Sequence, residues 1–338
     1  MHKAQVEEGK GSGLPTFSVV VPLFNKREHV RRTILRILGQ DYPQCEVLVV
    51  NDGSTDGSAD QIADLADPRL RILHQENAGP GAARNLGIAH AQHQWIAFID
   101  ADDSWYPDHL RELARAILGF PTAGFASTAY RKRTVAADLP SRSPEEGKPR
   151  LSSYFKACKH RNVVCASTVA VRRDVFERVG VFGNFCPGED TDMWVRIALE
   201  EPLAFSPRVT AIYTMNTGGI SETHADRWRT PKSAGSKPES PVHSLLNAKL
   251  RDPDCRQLHA EISAYIDARA ITVARNAIFD SNQLCAQQAL RRVRGKRNRR
   301  YLTYRAIAHL PAPVFALAHV TWRYAQRLFR RKWSTIEF

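Results

Sequence analysis

Between residues 17 and 99, short apolar runs alternate with stretches whose apolar residues recur every three to four positions. Residues 17–22 (FSVVVP), 45–50, 70–74 and 95–99 (WIAFI) are β-rich, and each reads as a strand. Residues 26–40 place Val30, Ile34, Leu35 and Leu38 on one helical face, and residues 58–66 and 81–91 carry shorter helical patterns. This alternation predicts βαβ units and a parallel sheet with four strand ends on one rim. Farther along, the pattern predicts a strand over 164–171, a helix over 191–200 and a strand over 204–213. Residues 140–150 (PSRSPEEGKPR) read as an exposed loop. Residues 217–241 have almost no apolar periodicity, as binding loops and lids often do, and from residue 242 the pattern is helical to the end. No internal repeat is visible. The predicted class is α/β: a mixed, mostly parallel sheet flanked by helices, with a helical C-terminal extension.

Size agrees with that picture, since 338 residues with 43% hydrophobic content suffice for one large α/β domain plus an appendage. The first residues, MHKAQVEEGKGSGLP, lack the apolar run of a secretory signal, so a cytoplasmic location is expected. Cys45, Cys158, Cys165, Cys186, Cys255 and Cys285 are widely spaced, without CxxC pairs, and are expected to be reduced thiols rather than zinc ligands or disulfides.

The net charge of +13 is concentrated at one end. Thirteen Lys and Arg lie between Arg291 and Lys332, with no Asp or Glu among them, and equal the whole excess. Within this region, residues 306–322 carry no charged side chain but include Pro311, Pro313, His309 and His319, so a full membrane crossing is not expected. An apolar element between cationic clusters suits adsorption to anionic lipid headgroups at the cytoplasmic face. A solvated helical hairpin packed on the α/β domain is the competing reading. No nucleic-acid module accompanies the basic region, and no nucleic-acid partner is expected.

Ligands of open α/β sheets bind beyond the carboxyl ends of the strands. The residues there are Leu23-Phe24-Asn25, then Asn51 to Gly57 (NDGSTDG), then Gln75 to Gly81 (QENAGPG), then Asp100-Ala101-Asp102-Asp103. Two carboxylates one residue apart after a buried strand offer the hard oxygen ligands that Mg²⁺ or Mn²⁺ prefers, with a diphosphate completing the shell. Each piece alone is also an ordinary turn or helix start: Asp100 and Asp102 can end the strand and cap the helix beginning near Pro107, and the glycines can simply turn the chain.

Their order is more specific. VVVPLFN, VVNDGSTDGS, NAGPGAARNLGI and WIAFIDADDSWYPDHL, at these separations, closely resemble the nucleotide-binding half of glycosyltransferase family 2, whose fold is the GT-A type, over residues 17–118. The resemblance implies an inverting, nucleotide-sugar-dependent enzyme, with a UDP-sugar favoured and a divalent metal, Mn²⁺ or Mg²⁺, as cofactor. It implies that Pro22 and Asn25 line the nucleotide site, that Asp52 contacts the base and that Arg84 orients the pocket. Asp100 would lie near ribose and metal, Asp102 would be the principal metal ligand, and Asp103 a flanking carboxylate. Gly188-Glu189-Asp190-Thr191-Asp192 is similar to the family's acceptor-side motif, which implies Asp190 as general base with Glu189 beside it as an acceptor contact. The acidic pair could instead only stabilise the N-terminus of its helix. His224, in the long loop, is a candidate metal or phosphate contact, although an exposed loop histidine is the commoner situation.

The expected organisation is a flexible N-terminus (1–15), a glycosyltransferase domain (16–240, with nucleotide half 16–120 and acceptor half 121–240) and a basic helical region (241–338). No QxxRW-like segment and no long membrane spans occur, which disfavours a processive synthase. Transfer to a glycan or lipid-linked acceptor in cell-surface polysaccharide or glycolipid assembly is expected. The rival of another class is a catalytically silent nucleotide-binding scaffold, against which Asp102 and Asp190 together count. A nucleotidyltransferase would be expected to grip phosphate with a basic loop after the first strand, unlike Leu23-Phe24-Asn25.

Overall fold

The apolar runs become β1 (Phe17–Leu23), β2 (Cys45–Asp52), β3 (Leu70–Gln75) and β4 (Trp95–Phe98). The computed structural model describes residues 13–134, 147–159, 162–185, 188–218, 241–279, 282–295, 299–311 and 313–315. The four strands pair in parallel in the order β3-β2-β1-β4. Parallel strands covered on both faces lose the polar alternation of a half-exposed strand, which is why β1 and β2 read as almost unbroken hydrophobic runs. Phe17, Val19, Val21 and Leu23 share one core with Val30, Ile34 and Ile37 of α1 (Arg27–Leu38) and with Leu110, Leu113 and Ile117 of α3 (His109–Gly119). On the opposite face α2 (Pro80–His90) brings Gly87 directly against Val20.

The sheet continues from β4 through β8 (Val169–Arg172), β6 (Phe125–Arg133) and β9 (Leu203–Thr214) to β5 (Ser104–Trp105), while β7 (Arg150–Ser152) pairs with β9. β8 is antiparallel to β4 and β6, β6 and β9 are parallel, and β5 and β7 are antiparallel to β9. The sheet is therefore mixed. An aromatic cluster ties α6 (Glu189–Glu200) to it: Trp194 lies 5.9 Å from Phe98 and 6.0 Å from Phe125, ring centre to ring centre. Phe176 of α5 (Arg173–Val179) packs edge-on to Phe98 at 6.2 Å.

Two expectations are corrected. The helix expected over 58–66 is a single 3₁₀ turn, Ala59–Ile62. Ahead of it the Asp56 carboxylate accepts the amides of Arg27 (3.0 Å) and Ser58 (2.9 Å), and the Ser58 hydroxyl accepts the amide of Lys26 (2.8 Å). Such side-chain bonds to backbone compete with helix formation. The strand expected from 164 starts only at Val169, after a 3₁₀ turn at Ala166–Thr168 in which the Thr168 hydroxyl accepts the Cys165 amide. Strands β5 and β6 and helix α5 had no counterpart in the periodicity, because β5 is two residues long and only the first four residues of β6 are buried.

The chain divides into two compact units, one holding the sheet and its helices through Thr217, the other holding Ser153–Asn162 with the chain from Gly218 onward. In the second unit, Tyr154 and Phe155 of α4 (Tyr154–Ala157) pack on Tyr265 of the helix Arg256–Phe279 at 5.9 and 5.6 Å. Helices Gln283–Arg291 and Arg299–Ala308 add Leu290, Tyr301 and Ala308 to a core with Ala274 and Ile278. Among the described residues, no helix is long and apolar enough to cross a membrane. Among the described residues Cys45, Cys158, Cys165, Cys255 and Cys285 form no disulfide with one another, and Cys186 lies outside the described residues, as does the basic region from residue 316.

Candidate active site

The loops after β1, β2 and β3 are knitted together by hydrogen bonds. Asn25 adopts a left-handed backbone (φ 51°), which Asn tolerates better than most residues. Its amide donates to Ser54 Oγ (3.1 Å), and its Oδ1 accepts the amide of Thr55 (2.9 Å). Pro22 stays in β1, half-buried, beside Val50 of β2. At the end of β2, Asp52 is 2% exposed. Its Oδ1 accepts from the Ala78 amide (2.8 Å) and Gln75 Nε2 (2.7 Å), and its Oδ2 from the Gly79 amide (2.9 Å). A carboxylate offers about four lone-pair sites, so one remains on Oδ2 for a further donor such as a base N–H. Gly53, at φ 69°, could carry no side chain here, because a Cβ would come within 2.9 Å of the Asn77 amide nitrogen.

Beyond β4 the three carboxylates have separate lives. Asp100 accepts from Arg84 Nη2 at 2.8 Å, while its amide donates to Ser167 Oγ (3.0 Å). Asp103 is 1% exposed and accepts from the Thr214 amide (2.8 Å) and the Ser167 hydroxyl. Burial, and then the charges of Asp100 and Asp102, push its carboxyl well above the usual range. Asp103 thus ties β4 to β9. Asp102 Oδ2 sits 2.7 Å from Lys26 Nζ and accepts the Thr217 hydroxyl at 2.7 Å.

Arg84 is the hub between the two halves of the site. It is 4% exposed, and its guanidinium donates from Nη2 to Asp100 (2.8 Å) and from Nη1 to Glu189 Oε1 (2.9 Å), above the Phe182 ring at 5.4 Å. Burial alone would lower its pKa, but Asp100, Glu189 and Asp190 more than reverse that and raise it. Glu189 also accepts the Gly188 amide on Oε2 (3.1 Å), so both of its oxygens are engaged. Asp190 opens α6 and accepts the Thr191 amide at 2.6 Å. Burial first, then repulsion from Glu189, raise the Asp190 carboxyl against the pull of Arg84. A carboxylate with a raised pKa is suited to removing a proton.

Asp100, Arg84, Glu189 and Asp190 therefore come together, although 105 positions separate Arg84 from Glu189. Pro22 and Asp52 lie at the ends of the paired strands β1 and β2, and Asn25 is bonded to the loop that follows β2. His224 lies outside the described residues. Lys26, Ser167 and Thr217 were missed by sequence reasoning. Lys26 immediately follows Asn25 and could have been flagged as a cation at a strand end, whereas nothing marked Thr217, 115 residues from Asp102.

Among the described residues, no three His, Cys, Asp or Glu side chains gather closely enough to enclose a metal. Mg²⁺ and Mn²⁺ need only one or two protein carboxylates when substrate phosphates and waters supply the rest. The donor set of Asp102, with Asp100 nearby on Arg84, fits an ion that arrives with a diphosphate, and does not fit a permanently caged one.

A mixed sheet with a parallel β3-β2-β1-β4 half and acidic residues at its strand ends is the architecture expected of the GT-A fold. The chain matches the family "Glycosyl transferase family 2" over residues 18–180, just under half of its length. It is 28% identical over 222 residues to the putative teichuronic acid biosynthesis glycosyltransferase TuaG of Bacillus subtilis, covering 64% of this chain and 85% of that one. Three further curated bacterial relatives match over 92–103 residues at 39–41% identity, and the chain spans only 27–30% of their length. Among solved structures, S. aureus TarS 1–349 with UDP-GlcNAc superposes with TM-score 0.61 at 17% identity, covering 92% of each chain. A mannosyltransferase from Pyrobaculum calidifontis, in complex with GDP-Man and Mn²⁺, superposes with TM-score 0.58 at 21% identity, covering 96% of this chain and 84% of that one.

Proposed function

We propose that the chain is an inverting glycosyltransferase that moves a sugar from a nucleotide donor, with a UDP-sugar favoured, to a hydroxyl of a glycan or lipid-linked acceptor in cell-surface polysaccharide assembly. The observation that carries this reading is the Arg84 bridge, which holds the Asp100 end of β4 and the Glu189–Asp190 start of α6 on one guanidinium. In this reading Pro22, Asn25 and Asp52 receive the nucleoside, the open lone pair of Asp52 accepting a base N–H. Asp100 and Asp102 face the ribose and diphosphate. A divalent cation held by Asp102 would supply charge neutralisation for the departing nucleoside diphosphate. Asp190 takes the acceptor proton while the acceptor oxygen attacks the anomeric carbon from the face opposite the leaving group, the geometry that inversion demands. Arg84 pairs with Glu189 and so ties the start of α6 to the Asp100 end of the rim.

The polysaccharide assignment draws on TuaG, and the donor class on the UDP-GlcNAc and GDP-Man seen with folds of this type. The basic stretch 291–332 suits an anionic cytoplasmic membrane surface, where a lipid-linked acceptor would be found.

The test is thermal shift and donor hydrolysis across UDP-, GDP- and dTDP-sugars, with and without Mn²⁺, on wild type and Asp102→Ala. Stabilisation by one nucleotide class that requires the metal and disappears in Asp102→Ala is expected. A folded protein that responds to no nucleotide with metal present would sink the reading.

A further inference from the structure

Asp102 already has a cation. Lys26 Nζ lies 2.7 Å from its Oδ2 and donates to the Thr217 carbonyl at 3.0 Å, while the Thr217 hydroxyl donates to the same Oδ2 at 2.7 Å. The lysine and aspartate side chains are 14% and 12% exposed, so this is not a screened surface pair. Lys26 is held at its root as well: it follows the left-handed Asn25, and its amide donates to Ser58 Oγ at 2.8 Å. Two of its three ammonium protons are engaged, and among the described residues the third proton and Asp102 Oδ1 have no partner.

A divalent ion ligating a carboxylate sits about 2.1 Å from its oxygen. With the ammonium 2.7 Å from that same carboxylate, the two cations would stand close together in a partly desolvated place, where their repulsion is poorly screened. One must leave. The lysine is the mobile partner, because its charge rides on a four-carbon stem and needs no fixed bond angles. A diphosphate entering the rim offers the ammonium another anion within reach of the same stem.

We propose that Lys26 is the resident counter-ion of Asp102, that it competes with a divalent cation for this carboxylate, and that a donor diphosphate draws the ammonium away, so that metal and nucleotide bind cooperatively. The first half stands on the ion pair alone, and the diphosphate half rests on the nucleotide-sugar reading. Thr217 takes part, since its hydroxyl and carbonyl stabilise the lysine-paired arrangement from both sides. Coupling of this kind is reciprocal: UDP tightens Mn²⁺ by the factor by which Mn²⁺ tightens UDP.

The experiment titrates Mn²⁺ by electron paramagnetic resonance into the full chain, with and without UDP, for wild type, Lys26→Met, Lys26→Arg and Lys26→Met/Asp102→Ala, after circular dichroism has established that each is folded. Lys26→Met is expected to bind Mn²⁺ alone about tenfold more tightly than wild type, within the roughly 5–150-fold range typical of coupled sites. The gain in Mn²⁺ affinity on adding UDP should be smaller in Lys26→Met than in wild type, while Lys26→Arg should retain the wild-type dependence. Equal Mn²⁺ affinity of wild type and Lys26→Met without nucleotide would overturn the proposal. So would a gain that persists in Lys26→Met/Asp102→Ala, because the ion would then sit elsewhere. Failure of every form to bind UDP would instead count against the nucleotide-sugar reading, with the Mn²⁺-alone comparison still deciding the competition.

Discussion

At the scale of single residues, Arg84 shows how a site can depend on one buried charge. A guanidinium presents its donors in a planar fork, so two carboxylates on different elements can be held at once; a lysine would offer a point charge instead. Glu189, 6% exposed, has no other cation in contact with it among the described residues. Replacing Arg84 by Met would leave that carboxylate buried and uncompensated, a change that costs about 3–5 kcal/mol in comparable pairs. Urea unfolding of Arg84→Met is expected to show a loss of that order, and Arg84→Met/Glu189→Gln should recover part of it, because contacting residues are not additive. A loss below about 0.5 kcal/mol would mean the bridge is not a structural tie. The arginine itself was visible in the sequence as a cation at a helix start. Its partner was not, since no local rule connects positions 105 apart.

At the scale of elements, packing between α2 and β1 sets where the Arg84 hub can stand. Gly87 has no side chain because a Cβ would fall inside the van der Waals envelope of both methyls of Val20, which is itself fully buried. Gly87→Ala brings a helix-propensity gain of about 1 kcal/mol. It also incurs overpacking of typically 1–3 kcal/mol against a β-branched neighbour that cannot change rotamer freely. A net loss in the denaturant midpoint is expected, relieved in Gly87→Ala/Val20→Ala; a more stable single variant would show that α2 can lift off the sheet without cost. The strands of this half were legible because their burial on both faces leaves an apolar signature. β5 was not, since two residues carry no period, nor was the 3₁₀ turn at Ala59–Ile62, where Asp56 and Ser58 bond to backbone in place of a helix.

At the scale of the whole molecule, the chain pairs a nearly neutral catalytic unit with a strongly basic end. Tyr301, Ala308 and Phe315 lie in the core of the helical unit, while Arg299 and Arg300 are exposed. The membrane-surface reading predicts that the full chain sediments with vesicles containing anionic lipid and not with neutral ones, and that added salt releases it. With each nearby basic residue contributing on the order of 1 kcal/mol, Arg299→Gln/Arg300→Gln should weaken partitioning about tenfold or more at low salt. Equal sedimentation with neutral and anionic vesicles would remove the electrostatic reading of this region.

The sequence by itself determined the parallel half of the sheet, the four polar strand ends and the family they resemble, because these rest on local periodicity and on motifs of a few adjacent residues. Tertiary structure alone decided which of those polar groups answer one another. Asp52 spends three of its four acceptor sites on the loop after β3, Glu189 is consumed by Arg84, and Asp102 is paired with Lys26 beneath Thr217. The reason is that a carboxylate's role depends on the donors within about 3 Å of it, and those donors are brought there by folding from positions the chain does not keep close.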